Sequence, residues 1–200
     1  RRLGADGTLA GPERRLTTGS SEAYEADIAP LADGFVVGWY EKTGDGHVTP
    51  KLGAWSDDGA ARWTKTLASG GRNTVARTCG TLLFAAWITD EAGDRAGIWG
   101  GWWTTGGDLL IAPRRLADAG RTTWNLNAAI DPEPSADRPR AWLAFDARAG
   151  TASEELFVVD VAMRTQRVLR LTPDDGVPSK YPYVAVACDP AALACLHLSD

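Results

Sequence analysis

The sequence predicts an all-β fold: a β-propeller of four-stranded antiparallel blades, with about four blades' worth of chain. Three observations predict it. Two separate ladders of residues recur at an interval of about 50 residues. Each interval divides into four strand-length runs bounded by Gly, Asp and Pro turns. No long stretch carries the i, i+3, i+4 apolar spacing of an amphipathic helix.

The first ladder is a basic-then-Leu segment ending at Leu16, Leu67, Leu116 and Leu171, with spacings of 51, 49 and 55 residues. Each copy runs into a polar turn. The second ladder is an apolar run ending in a large side chain at Trp39, Trp87, Phe145 and Leu198, spaced by 48, 58 and 53 residues. In three copies a small residue precedes it: Gly38, Ala86 and Ala144. A single small sheet cannot bury both of its faces, whereas radial stacking lets each blade cover the next. Small residues suit the inner strands, where blades converge.

The elements follow in order. Unit one reads as strands Tyr24–Leu31, Phe35–Glu41, Thr49–Trp55 and Arg62–Leu67. Unit two reads as Thr74–Cys79, Leu82–Thr89, Gly97–Trp103 and Leu110–Leu116. Unit three reads as Trp124–Ile130, Ala141–Asp146, Glu155–Val161 and Arg167–Leu171. The fourth is split, with Tyr181–Cys188 and Leu193–Ser199 at one end and Arg2–Ala5 and Glu13–Leu16 at the other. A split blade is how a propeller closes its ring. The chain therefore reads as one propeller domain, with blades at 21–68, 72–117, 121–172 and 178–200 plus 1–17. The same arithmetic suits a compact four-bladed ring or a piece of a larger one, and a β-sandwich is the architectural alternative.

Composition narrows the function. The chain has 200 residues, 26 acidic against 21 basic, for a formal charge of −5. That argues against nucleic acid as a partner, which calls for a basic stripe. Two His, His47 and His197, leave little for a multi-His metal site. No apolar run approaches the roughly 18 residues that span a bilayer. The chain starts at Arg1 with neither Met nor a signal-peptide apolar core, and so reads as a processed or excised piece. Cys188 and Cys195 would face each other if Ala191-Ala192 tips a hairpin, within disulfide reach. Such a bridge implies an oxidising, extracytoplasmic compartment; the alternative is two small buried thiols. Cys79 has no evident partner in the sequence.

Between the third and fourth strands of unit one stands Ser56-Asp57-Asp58-Gly59-Ala60-Ala61-Arg62-Trp63. It resembles the Asp-box turn of sialidase-like propellers, Ser-x-Asp-x-Gly-x-Thr-Trp. Ser56, Asp58 and Trp63 match, while Ala60 and Arg62 replace the Gly and the Thr. In that family the box is a structural turn, so the resemblance implies a fold and no activity. Likewise, Leu171-Thr172-Pro173-Asp174-Asp175-Gly176-Val177-Pro178-Ser179-Lys180-Tyr181-Pro182 resembles the blade junction of TolB-like propellers.

No catalytic constellation stands out, and no cofactor or metal site is expected. His47 lies in a Gly-Asp loop and His197 in an inner strand, neither placed for Ser-His-Asp chemistry. Asp45 and Asp94 read as turn residues, because the alternating acids of a calcium loop are missing. Arg72, Arg121 and Lys180 stand at equivalent blade junctions and are candidates to ring the channel mouth and attract an anion. Trp102 and Trp103 are adjacent in one strand and put one indole on each face, so one could stack on a sugar or a peptide. The leading reading is a non-enzymatic, monomeric, extracytoplasmic module that binds a protein or carbohydrate ligand. The alternatives are a glycan-binding or glycoside-processing propeller of sialidase-like type, or a structural fragment of a larger multi-bladed protein.

Overall fold

A computed structural model describes residues 2–3, 6–10, 13–91, 95–120, 125–132, 138–185 and 196–198. The described residues contain strands and turns and no helix. Three four-stranded antiparallel sheets follow one another, each with its strands in chain order. Blade 1 holds β3 (Glu22–Leu31), β4 (Gly34–Lys42), β5 (Val48–Ser56) and β6 (Ala61–Thr66). Blade 2 holds β7 (Arg72–Cys79), β8 (Leu82–Glu91), β9 (Arg95–Thr104) and β10 (Leu109–Gly120). Blade 3 holds β11 (Leu126–Ile130), β12 (Arg140–Ala147), β13 (Glu155–Ala162) and β14 (Gln166–Arg170). Two short hairpins flank them: β1 (Arg2–Leu3) with β2 (Leu9–Ala10), and β15 (Pro182–Val184) with β16 (Leu196–Leu198). The blades form as the alternation predicts, within a few residues at each end.

One expectation needs correction. Glu13–Leu16 is not a strand; the pairing falls earlier, at Leu9–Ala10. The β1–β2 register sets Leu3 opposite Leu9, the pairing that β9 and β10 make with Trp103 opposite Leu109. Cys188 and Cys195 lie outside the described residues. Among the described residues no backbone pairing joins the two flanking hairpins to each other.

The two sequence ladders turn out to be two sides of one repeated interface. Leu16 packs on the cluster holding Trp39, Leu67 on that holding Trp87, and Leu116 shares a cluster with Phe145. Each Leu ends one unit and packs in the same apolar cluster as the large side chain on the second strand of the next. Trp87 and Phe145 are 1% and 0% exposed, as their position between sheets requires. Gly38 is needed at the inner edge: a Cβ there would lie 2.9 Å from the Thr74 carbonyl of the next blade.

Further out, one side chain per unit reaches over the last hairpin turn of the next. Trp63 donates its Nε1–H to the Thr105 carbonyl at 3.2 Å. The Arg114 guanidinium donates to the carbonyls of Met163, Ala162 and Thr165 at 2.7, 2.9 and 3.2 Å. Arg14 lies against Gly59 in the turn of blade 1. Residues 13–16 thus hold the place of an outer-strand end ahead of blade 1, without strand pairing.

The turn at Ser56–Ala60 explains the Asp-box likeness. Ser56 Oγ donates to Asp58, whose carboxylate also accepts the Ala60 N–H at 3.2 Å. The Ser56 hydroxyl and then the Ala60 N–H hold Asp58 below the usual carboxylate range, and Arg14 adds to this. Gly59, at φ +81°, supplies the left-handed residue that the turn needs. Thr43 and Asp45 build the same bonds at Thr43–His47, so Asp45 is a turn residue.

The interface sets a clear expectation for stability. Leu116→Ala, at a site 3% exposed, should cost about 2–4 kcal/mol in urea unfolding. Leu171→Ala, at the repeat-equivalent site that is 38% exposed, should cost less than about 1 kcal/mol.

Candidate functional site

The innermost strands β3, β7, β11 and β15 converge on a cavity of about 300 Å³. Residues 25–27, 73–75, 125–127 and 181–183 line it, so every blade contributes its first strand. These segments start the strands just after each blade junction. Gly71 N–H bonds to the Val48 carbonyl at 3.2 Å, so the junction shares its face with the second-to-third-strand loop.

The backbone at this rim is unusual. Glu25, Asn73 and Tyr181 have φ of +49°, +49° and +58°. A left-handed conformation is uncommon outside Gly, and least expected for Tyr and Glu. The β3 and β7 registers break at the same place, between Tyr24 and Asp27 and between Arg72 and Val75. Each break is a bulge that re-aims the rim side chains.

Polar anchors hold these bends. Buried Asp146, 3% exposed, accepts Asn125 Nδ2 at 2.5 Å and the Tyr181 N–H at 3.3 Å. Asp27 accepts the Ala76 N–H at 2.9 Å and pairs with Arg77, whose Nε donates to the Ala128 carbonyl at 2.6 Å. Arg77 therefore ties blade 2 to blades 1 and 3 below the cavity. Asn127 Oδ1 accepts the Val184 N–H at 3.4 Å and ties β15 to blade 3. Above them Tyr181 and Tyr183 remain 60% and 57% exposed.

Glu25 is the carboxyl whose titration stands out. Glu25 is exposed to solvent, yet partial desolvation by the strands around it pushes its pKa above the ordinary value, and Arg72 opposes this. The phenol of Tyr40 is pushed up by burial and by Glu25, with Arg72 again opposing. Tyr40 stacks on Tyr24 with ring centroids 5.3 Å apart. A carboxyl whose pKa is raised holds its proton to higher pH than a free one and can donate it; one beside an Arg can also orient a hydroxyl.

The residues singled out in sequence fare differently. Arg72 reaches the rim but pairs with Asp90 and is only 16% exposed at its side chain. Lys180 is exposed next to Tyr181 and acts on Glu154. Burial raises the Glu154 pKa, yet its backbone N–H, Arg148 and Lys180 together hold it below the ordinary value. Arg121 lies outside the described residues. Trp102 and Trp103 do point to opposite faces, but both faces are covered, and they are 1% and 4% exposed. Trp102 joins the core between blades 2 and 3, and Trp103 that between blades 1 and 2. Neither offers a stacking surface. Among the described residues no group of three or more His, Cys, Asp or Glu is gathered as a metal site, and no helix is long and apolar enough to cross a membrane.

Glu25, Asn73, Asn125 and Tyr181 were not legible as site residues. They lie one to four positions beyond the junction residues Glu22, Arg72, Arg121 and Lys180. The recurrence of a polar residue just inside or just before the start of each first strand, at spacings of 48, 52 and 56, is the signal that could have found them.

No protein-family model matches the chain, and no curated protein matches it. Among solved structures, the chain is similar to an α-L-arabinofuranosidase from Lactobacillus brevis at 9% identity and a TM-score of 0.50. That match covers 83% of this chain and 62% of the other, so the chain spans less than two thirds of that enzyme's length. A second match is to a structure described as showing that the GH130 family of mannoside phosphorylases contains glycoside hydrolases targeting β-1,2 mannosidic linkages in Candida mannan. It has 10% identity and a TM-score of 0.43, and covers 80% of this chain and 52% of that one. At 9% identity the likeness to the arabinofuranosidase is one of fold alone, and it agrees with a propeller-like fold.

The raised Glu25 pKa has a signed consequence. In the window between the ordinary value of 4.5 and the raised one, the folded state binds more protons than the unfolded chain. Stability from this group therefore falls as pH rises through that window. Glu25→Gln should melt at a higher temperature than the parent near neutral pH, and the two curves should converge below pH 4.5. A Tm series against pH that shows no such convergence contradicts the assignment.

Proposed function

We propose that the protein is a glycan-binding and glycoside-processing propeller that holds a sugar residue at the channel mouth. The observation that carries this reading is the cavity itself: exposed Tyr181 and Tyr183 beside amides and the Glu25 carboxyl. A pyranose or furanose offers an apolar C–H face and a rim of hydroxyls. Tyrosine rings cover the first, and Asn and Glu side chains pair with the second. Few other ligands ask for both in a concave polar site. The fold likeness to an arabinofuranosidase is consistent with this reading.

The processing part rests on Glu25. Glycoside cleavage needs a carboxyl that is still protonated when it meets the leaving oxygen, and a second carboxylate nearby. Partial desolvation shifts Glu25 in that direction, and Asp27 lies on the same cavity wall. The reading as a non-enzymatic interaction module has less support, since the two tryptophans that might have served it are buried. We further propose a single propeller domain over 1–200, acting as a monomer in an extracytoplasmic compartment.

A panel of chromogenic glycosides, including α-L-arabinofuranoside and β-mannoside, together with a glycan array, tests this. The parent should bind at least one neutral oligosaccharide and turn over a matching glycoside. Glu25→Gln should lower turnover by about 10²–10⁴-fold with binding largely kept. Tyr181→Ala and Tyr183→Ala should each weaken binding by about 10-fold, a ring's stacking contribution of roughly 1–2 kcal/mol. Binding without turnover reduces the function to glycan recognition, and no binding to any glycan refutes it.

A further inference from the structure

We infer that the channel-mouth site selects uncharged sugars and rejects those bearing a carboxylate, such as uronic and sialic acids; this rests on the glycan reading above. The argument is one of charge at the cavity wall. Among the described residues that line the cavity, Glu25 and Asp27 are the ionisable acids, and no Lys, Arg or His joins them. The rest of the wall is amide, hydroxyl and apolar: Asn73 and Asn127 from β7 and β11, with Tyr181 and Tyr183 from the β15 side.

The nearby cations do not reverse this. Arg77 is held by Asp27 and by the Ala128 and Ala76 carbonyls, all within the scaffold. Arg72 is paired with Asp90. Lys180 faces Glu154, which also bonds Arg148 at 3.3 Å. Behind the wall, Asp146 is buried on amide and backbone N–H donors, and no cation is among its bonds. Counting Glu25, Asp27, Asp90, Asp146 and Glu154 against Arg72, Arg77, Arg148 and Lys180 leaves the site one charge negative when all are ionised. A sugar carboxylate entering here meets like charge, and no Lys, Arg or His among the described lining residues receives it. Like charges in a partly desolvated cleft repel far more strongly than in bulk water.

The charge pattern also separates the site from its sequence resemblance. The Ser56–Trp63 turn resembles the Asp-box of sialidase-like propellers, but anionic sugar recognition asks for clustered arginines, and this wall presents acids. A neutral sugar, by contrast, gains from carboxylates, since an ionised acid accepts two hydroxyl protons at once.

Calorimetry with matched oligosaccharides tests this: neutral arabino-, xylo- and manno-oligosaccharides against oligogalacturonate and sialyllactose, at low salt and at 0.5 M NaCl. The neutral ligands should bind, and the acidic ones should be weaker by about 10-fold or more at low salt. That gap should narrow in high salt, which screens charge. Glu25→Gln, shown folded by circular dichroism, should narrow it too. Acidic sugars binding as tightly as neutral ones, or tighter, overturn this inference while leaving the glycan reading intact. Failure of every sugar to bind overturns both.

Discussion

The structure depends on one packing arrangement made three times: a leucine at the end of one unit shares an apolar cluster with a large side chain on the second strand of the next. Leu16 with the Trp39 cluster, Leu67 with that of Trp87 and Leu116 with that of Phe145 bring neighbouring sheets face to face. Burial of such surface is non-directional, so by itself it does not fix an angle between blades. The angle comes from what flanks the contact. Outside, Trp63 and Arg114 bond carbonyls in the last turn of the following blade. Inside, Gly38 lets the blades approach, and Arg77 bonds across three of them. Large groups outside and small or polar ones inside make a wedge, and wedges laid side by side curve into a ring.

The same wedge explains where the site lies. First strands meet at the narrow edge, where no further sheet can cover them, so their rim residues face a cavity rather than a core. Freed from packing, these positions accept bulges and left-handed residues, and polar side chains can be anchored from below by Asp27 and Asp146. Rigidity beneath and exposure above is the arrangement a binding site requires: pre-organised groups whose ordering does not have to be completed when ligand arrives.

How much of this was legible follows from the same physics. The strands and both ladders could be read because interblade packing demands large apolar residues at a fixed register, and burial leaves a periodic mark. Trp102 and Trp103 were correctly placed on opposite faces, yet strand alternation says nothing about whether both faces are covered. Arg72 was placed at the rim, but its partner Asp90 sits on the neighbouring strand β8, a pairing that the linear sequence does not mark. Glu25 and Tyr181 left no mark, because a solvated side chain on a strained backbone obeys no hydrophobic period, and neither residue type favours positive φ. Glu13–Leu16 was misread as a strand because its leucine has the repeat position; the leucine packs as expected without a paired backbone.

A double-mutant cycle measures the central contact most directly. Leu67→Ala and Trp87→Phe, singly and together, can be compared by urea unfolding with Leu67→Ala and Phe145→Leu, which lie in different clusters. The interlocked architecture predicts a coupling of about 0.5–3 kcal/mol for Leu67 with Trp87, and additivity within about 0.5 kcal/mol for Leu67 with Phe145. Additive effects in the first pair would contradict it, since the two ladders would then be bystanders rather than opposite halves of one interface.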